Sequence, residues 1–298
     1  MPTLAEPDGL QLPSFERILC AVDLAQPTPN ALSLASVVAA GFGAALEALY
    51  VGASASSLDP ATVQELDQVV QGSGARGTTT RLAFGAPAPA ILERAREHRA
   101  DLIVLGSRQR SDLGWQFRDD VVRDVSALAD CATLTVHERD VPAVIERILV
   151  PVDFGPATGQ MVDFACAFAK RFGAKVQLLH VVSRGQGEVG SGGQADLAAL
   201  ERRMVELGVD GAAQVIVAGG VANGIESYNE RSEFDLVVLG RHVEPEPPPR
   251  LVRGVIATLR NRMSVPLLSV RAPRHDATWP RARAQGHAAR GVRTALSA

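Results

Sequence analysis

Ile145–Phe154 reads IERILVPVDF, and Phe15–Leu24 reads FERILCAVDL. The two stretches share Glu-Arg-Ile-Leu, two differing residues, then Val-Asp and an apolar residue, and they start 130 residues apart. A short apolar run that ends in Asp, with no helical period, predicts a buried parallel strand with a polar residue at its carboxyl end. A strand repeated at a domain-sized interval predicts two copies of one domain.

The 298 residues suit two domains of ordinary size, and 46% hydrophobic residues are enough for two packed cores. Aromatic residues make up only 4%, so Val, Leu, Ile and Ala must build most of those cores. A net charge of −3 gives no reason to expect a nucleic acid or a membrane surface as partner. Cys20, Cys131 and Cys166 are too few and too scattered for a disulfide framework or a zinc site. Residues 1–13 contain Pro, Glu and Asp and no apolar segment, so no secretory leader is expected. No apolar run reaches the ~18 residues a membrane span needs. A cytoplasmic protein is the expectation.

The elements recur in register. Thr28-Pro29-Asn30 opens a first helix with Pro in its first turn, and Leu34, Val37, Val38 and Gly41 follow at helical spacing. In the second copy Pro156 opens the helix, and Met161, Phe164, Phe168 and Phe172 form the stripe. Gly43 and Gly173 stand where helix-ending glycines are wanted. Strands are predicted at 46–51 and 176–182, at 79–84 and 214–218, and at 133–136 and 267–270. Second helices are predicted at 60–70 and 196–207. Asp101-Leu-Ile-Val-Leu-Gly106 and Asp235-Leu-Val-Val-Leu-Gly240 form a second anchor pair, 134 residues apart. Alternating strands and helices demand open parallel sheets with helices on both faces. The expected domains are 15–140 and 141–273, joined by a linker at 138–144. The flanks 1–14 and 274–298 are expected to be disordered; the latter holds five arginines and little apolar content.

Val-Asp at the end of strand one, Gly85-Ala86-Pro87 before helix three and Asp101–Arg108 at strand four resemble the universal stress protein family. The resemblance covers nearly the whole chain twice, in order and spacing. It implies two tandem open five-stranded sheets of order 3-2-1-4-5, adenine-nucleotide alpha-hydrolase-like. It also implies a ligand crevice between strands one and four, outside their carboxyl ends.

ATP-binding members of that family carry Gly-x2-Gly-x9-Gly-Ser/Thr after strand four. Glycines admit phosphate oxygens to bare N–H groups, and a hydroxyl and a helix N-terminus complete the anion site. Here the first copy keeps Gly106 and Ser107 but has Gln109 and Asp119-Asp120 at the later positions. Two carboxylates there repel phosphate unless a cation intervenes. Arg108 and Arg110 are expected to pair with them. The second copy keeps Gly240, replaces the second glycine by Val243, and runs through Pro245, Pro247, Pro248 and Pro249, which have no N–H to donate. Gly254 reads as a slipped remnant of the last pair, and Val255 after it offers no hydroxyl. Val22, Asp23, Gly106, Ser107, Val152, Asp153, Gly240 and Gly254 are therefore the candidate remnant nucleotide sites. Asp23 and Asp153 have a second reading, in which they order the adjacent loop.

Ser191–Asp196 reads as a flexible connection with Asp196 as helix N-cap rather than as a phosphate loop. The six histidines show no metal-ligand spacing, and no catalytic triad or carboxylate pair recurs between the copies. The expectation is a non-enzymatic stress-response or interaction module that requires no cofactor and acts on a protein partner the sequence does not specify. The alternative is a sensor that still holds ATP, with a metal at Asp119 and Asp120 as one means. The fifth strands, 133–136 and 267–270, are expected to pair antiparallel and make the chain its own dimer; a homodimer of whole chains is a further option.

Overall fold

The computed structural model describes residues 12–25, 29–55, 59–107, 116–137, 144–155, 157–184, 191–241, 250–271 and 293–294. The first copy comprises β1 (Arg17–Val22), α1 (Pro29–Phe42), β2 (Ala45–Gly52), α2 (Pro60–Gly72), β3 (Thr79–Phe84), α3 (Pro87–His98), β4 (Leu102–Ser107), α4 (Gln116–Leu128) and β5 (Ala132–His137). The second comprises β6 (Arg147–Pro151), α5 (Thr158–Phe172), β7 (Lys175–Ser183), α6 (Ser191–Glu206), β8 (Gly211–Ala218), α7 (Val221–Ser232), β9 (Leu236–Arg241), α8 (Arg250–Arg262) and β10 (Leu267–Arg271). A two-residue strand β11, Arg293–Thr294, runs parallel beside β8. The rest of the 274–298 tail, residues 1–11, Pro156 and most of the linker lie outside the described residues.

Local chemistry explains the element boundaries. Asp59 accepts the Thr62 N–H at 2.7 Å and caps α2, with Pro60 in its first turn. Gly43 and Gly173 both take φ of 71°, the left-handed ending that only glycine adopts without penalty. Asp101 and Asp235 each accept two backbone N–H groups, from Glu16 and Arg17 and from Glu146 and Arg147, tying the fourth strand's start to the first.

One expectation fails at α6. The helix begins at Ser191, so Ser191–Ala195 is not a flexible connection and Asp196 is inside the helix rather than its cap. Two glycines disfavour those first turns by about 1 kcal/mol each. Burial of Leu197, Leu200 and Met204, all at or below 1% exposed, outweighs that.

The strand order is β11-β8-β7-β6-β9-β10-β5-β4-β1-β2-β3. Each copy thus has the expected order 3-2-1-4-5. The two sheets are not separate, however, but halves of one continuous sheet. Thr133, Leu134 and Thr135 pair antiparallel with Ser269, Leu268 and Leu267. Leu134 and Leu268 are equivalent positions of the two copies, 134 residues apart, so the pseudo-two-fold axis passes between them. The fifth strands pair as expected, and each hides the edge the other would expose.

Alternation along the strands sorts the core into layers. Ile18 and Cys20 of β1 join a core under α1, α2, α5 and α6 that runs through both copies, whereas Leu19 faces α3 and α4. The equivalent outer layer of the second copy lies under α7 and α8. Five phenylalanines of the shared layer form one group of rings. Phe42 of α1 meets Phe168 of α5 at 5.2 Å and Phe15 at 4.9 Å, with Phe164 and Phe172 alongside. Gly41 permits this crossing, because a Cβ there would lie 2.5 Å from the Phe172 ring. The scarce aromatics are concentrated where the copies meet.

On the other face, Arg241 at the end of β9 reaches into the first copy. Its guanidinium donates to the carbonyls of Ser126, Ala129 (3.2 Å) and Cys131 (2.9 Å), which follow from the C-terminal end of α4. Orphan carbonyls and the negative end of the helix dipole both favour a cation there. Burial lowers the Arg241 pKa to about 10, so it stays charged at neutral pH. Arg271 at the end of β10 adds a bond to Asp130, which also pairs with Arg96.

Candidate functional site

Each copy reverses its strand order beside the first strand: β1 lies between β2 and β4, and β6 between β7 and β9. The crevices outside these carboxyl ends are the places where a ligand fits an open α/β sheet. Val22 ends β1, half-buried, and Val152 follows β6 at 4% exposed. Asp23 accepts the Ala25 N–H through Oδ1 at 3.0 Å, and Asp153 accepts the Gly155 N–H at 2.8 Å. Both carboxylates thus make the two-residue turn typical of Asp after a strand. That is the loop-ordering reading of these residues.

The second crevice carries a ring pair. Phe154 sits at φ 59°, an unusual conformation for a bulky residue, and its ring lies 4.7 Å from that of His180. The His180 Nδ1 is 2.8 Å from the Val152 carbonyl oxygen. The first copy has Leu24 and Tyr50 at these positions. No ring contact of this kind was legible in the sequence, since Phe154 and His180 lie 26 residues apart with no periodic relation.

The retained glycines have separate fates. Gly240 lies under α5: a Cβ there would be 2.6 Å from Met161 Sδ and 2.7 Å from Ala157 Cβ. Close helix approach is therefore sufficient to require glycine, with no phosphate involved. Gly254 is exposed on α8, where a Cβ would meet nothing within 4 Å. It lines a shallow cleft of about 450 Å³ between α7 and α8 with Gly220, Asn223 and Arg262, and none of Val152, Asp153 or Gly240 lines that cleft. The structure does not bring Gly254 into one cavity with the other candidates of its copy.

In the first copy Gly106 pairs in register with Val136, and Ser107 with His137. Ser107 is 7% exposed and His137 1%, so this strand end is closed rather than open to solvent. Among the described residues both buried His137 ring nitrogens have no hydrogen-bond partner. Desolvation, then the charge of Arg260, pulls its pKa down to about 4 and keeps the ring neutral. Of the two aspartates in the phosphate position, Asp120 lies on α4 and pairs with Arg123. The Asp119 side chain, Gln109, Arg108, Arg110, Val243 and the four prolines lie outside the described residues, so the expected arginine partners of Asp119 and Asp120 cannot be placed beside them.

Little nucleophilic or metal chemistry is available. Burial pushes the Cys20 and Cys166 thiols up to about 12 and that of Cys131 to about 11, so all three stay protonated. Among the described residues no three His, Cys, Asp or Glu side chains are grouped to hold a metal ion. No helix among them is long and apolar enough to cross a membrane.

A tandem α/β protein with one switch-point crevice per copy is the class this architecture defines. The family model described as Universal stress protein family matches residues 14–137 and again 145–271. The chain belongs to the universal stress protein family and carries two of its domains. No curated protein matches it. Among solved structures it is similar to a universal stress protein from Archaeoglobus fulgidus DSM 4304 (16% identity, TM-score 0.68, covering 86% of this chain and 98% of that one). It is also similar to a functionally unknown protein from Pseudomonas aeruginosa PAO1 (16% identity, TM-score 0.64, covering 87% and 93%). A putative universal stress protein from Pseudomonas aeruginosa UCBPP-PA14 matches at 15% identity and TM-score 0.63, covering 86% and 93%. At these identities the likeness establishes the fold.

Proposed function

We propose that this protein is a non-enzymatic, cytoplasmic stress-response module that works through contacts with a protein partner, and that its nucleotide sites are degenerate. The observation that carries this reading is Gly240. The glycine that a phosphate loop would begin with is occupied by the approach of Met161 and Ala157 instead. Asp23 and Asp153, which would face a nucleoside, are engaged by the N–H groups of their own loops. Each missing charge-assisted hydrogen bond to a triphosphate removes about 1.5–3 kcal/mol, and two such losses move a micromolar site toward the millimolar range. The competing reading is a sensor that still binds ATP. Its support is the half-buried Val22 and Asp23 pair, which remains at the first switch point. Isothermal titration of the unmodified protein with Mg-ATP separates the two. No saturable heat up to millimolar nucleotide is expected; a micromolar Kd would put the sensor first.

A further inference from the structure

A cleft lies at the opposite ends of the strands from Asp23. It has a volume of about 560 Å³ and opens beside the amino-terminal ends of β1, β4 and β5. Phe15, Leu92 and Ile103 of the first copy and Phe164 and Val270 of the second give it an apolar floor, so the cleft exists only because the copies are joined. Three arginines, Arg96, Arg99 and Arg271, are among the residues that line it.

The equivalent positions of the second copy are filled by different residues. Helices α3 and α7 both end on a left-handed residue, Arg99 at φ 52° and Glu233 at φ 49°. The next positions are Ala100 and Phe234, followed by the anchoring Asp101 and Asp235. The Phe234 side chain is 8% exposed, stacks on Tyr228 at 5.8 Å and has the Arg147 guanidinium 5.1 Å above its ring. Phe234 puts a packed ring in the second copy where the first has the methyl group of Ala100. The corresponding arginine of the first copy, Arg17, instead donates to the Arg99 carbonyl at 3.3 Å. The cations differ too: Arg96 and Arg99 correspond to Glu230 and Glu233.

The polar inventory of the cleft leaves donors over. Asp130 is shared between Arg96 and Arg271, and Asp101 is taken by two backbone N–H groups. Among the described residues Arg99 has no ion pair. Among the described residues the Arg271 Nε, on a residue lining the cleft, is a buried donor without a hydrogen-bond partner, and the Gln160 Oε1, also on a lining residue, is a buried acceptor without one. A buried donor of that kind ordinarily finds a partner. A few polar groups over an apolar floor, in a volume of several hundred Å³, is the usual composition of a small-molecule site.

We propose that this cleft binds a small anion with an apolar body, the anionic head held by Arg99 and Arg271 and the body lying against Phe15, Phe164 and the space above Ala100. The site is independent of the crevices at Asp23 and Asp153.

The test is a fluorescence titration of the full chain with 8-anilinonaphthalene-1-sulfonate. One saturable site per chain is expected, with displacement by octanoate or 1-naphthyl phosphate but not by inorganic phosphate; which of the two displaces better assigns the head as carboxylate or phosphate. Ala100→Phe, which copies the second repeat, should weaken binding at least tenfold. Arg99→Glu, at an exposed position with no ion pair among the described residues, should do the same with an unchanged Tm, and decides the matter if Ala100→Phe fails to fold. Equal affinity in the wild type and the Arg99→Glu variant, or displacement by inorganic phosphate alone, would overturn the proposal.

Discussion

The two repeats share a backbone and solve the same positions with different chemistry. At the join, the fourth and fifth strands of the second copy end in Arg241 and Arg271, and those of the first in Ser107 and His137. One side of the pseudo-two-fold axis is therefore a buried cation capping a helix, and the other a buried neutral ring with no partner. The outer faces differ likewise. In the first copy Glu47, 6% exposed, takes two bonds from Arg94 at 2.7 and 2.6 Å. The equivalent residues of the second copy are Gln177, which donates to the Leu178 carbonyl at 2.9 Å, and Tyr228, which donates to Gln214 at 2.7 Å. The fold tolerates either an ion pair or neutral groups at one position, provided each polar group is satisfied.

The largest expected effect is at the join. Arg241→Met leaves the carbonyls of Ser126, Ala129 and Cys131 without their donor, and at about 1–3 kcal/mol per buried unsatisfied group the loss should reach at least ~3 kcal/mol. Ser107→Ala, at the equivalent position, should change stability by less than ~0.5 kcal/mol. Urea denaturation of both variants checks this; equal losses would erase the contrast.

Next comes Glu47→Gln, which removes the buried charged partner of Arg94 and leaves it the more exposed Glu97, and should destabilise by about 1–3 kcal/mol. Adding Arg94→Tyr, which sets the second repeat's neutral residue types at both positions, should recover at least half. A double-mutant cycle measures the coupling, and additive losses would mean the two residues act separately. The pair also responds to acid. Burial raises the Glu47 carboxyl, but hydrogen bonds and charge from Arg94 outweigh it and leave the pKa lowered. Its stabilisation is present above the ordinary carboxylate range and is lost as pH falls through the folded value.

His137 gives an effect at milder pH. The unfolded ring takes a proton near 6.5 and the folded one only near 4, so the unfolded state binds more protons in between. Stability should fall as pH drops below 6.5, by about 1.4 kcal/mol per unit at most. His137→Gln should flatten that slope between pH 6.5 and 5, and an unchanged slope would place the titration elsewhere. Asp130→Asn is the smallest: its side chain is 50% exposed, and losing its bonds to Arg96 and Arg271 should weaken the fold by less than ~1 kcal/mol in the same urea assay.

Much of this fold was legible. The repeated FERILCAVDL and IERILVPVDF stretches located both first strands, and the edge argument located the antiparallel join at Leu134 and Leu268. What escaped was contact across the join. Phe164, Phe168 and Phe172 read as a helical stripe, but nothing local said that Phe42 would be their partner. Arg241 drew no reading from the sequence, and His137 was only one of six histidines without metal-ligand spacing; setting the copies at an offset of 134 would have shown that both are unmatched. The candidate site was the least legible part. Gly240 looked like a phosphate-loop glycine because a glycine that admits a helix and one that admits a phosphate are the same letter.

The meeting of Leu134 with Leu268 has a genetic consequence. In a dimer of identical chains every substitution at the interface is made twice, so a cation suited to one side of the axis necessarily enters the other. Two copies of His137 would leave four ring nitrogens without partners. Fusion of the copies lifts that constraint. A single codon change now alters one side alone, and the two sides can drift apart: Arg241 serves the end of α4, while the equivalent position of the first copy is left to Ser107.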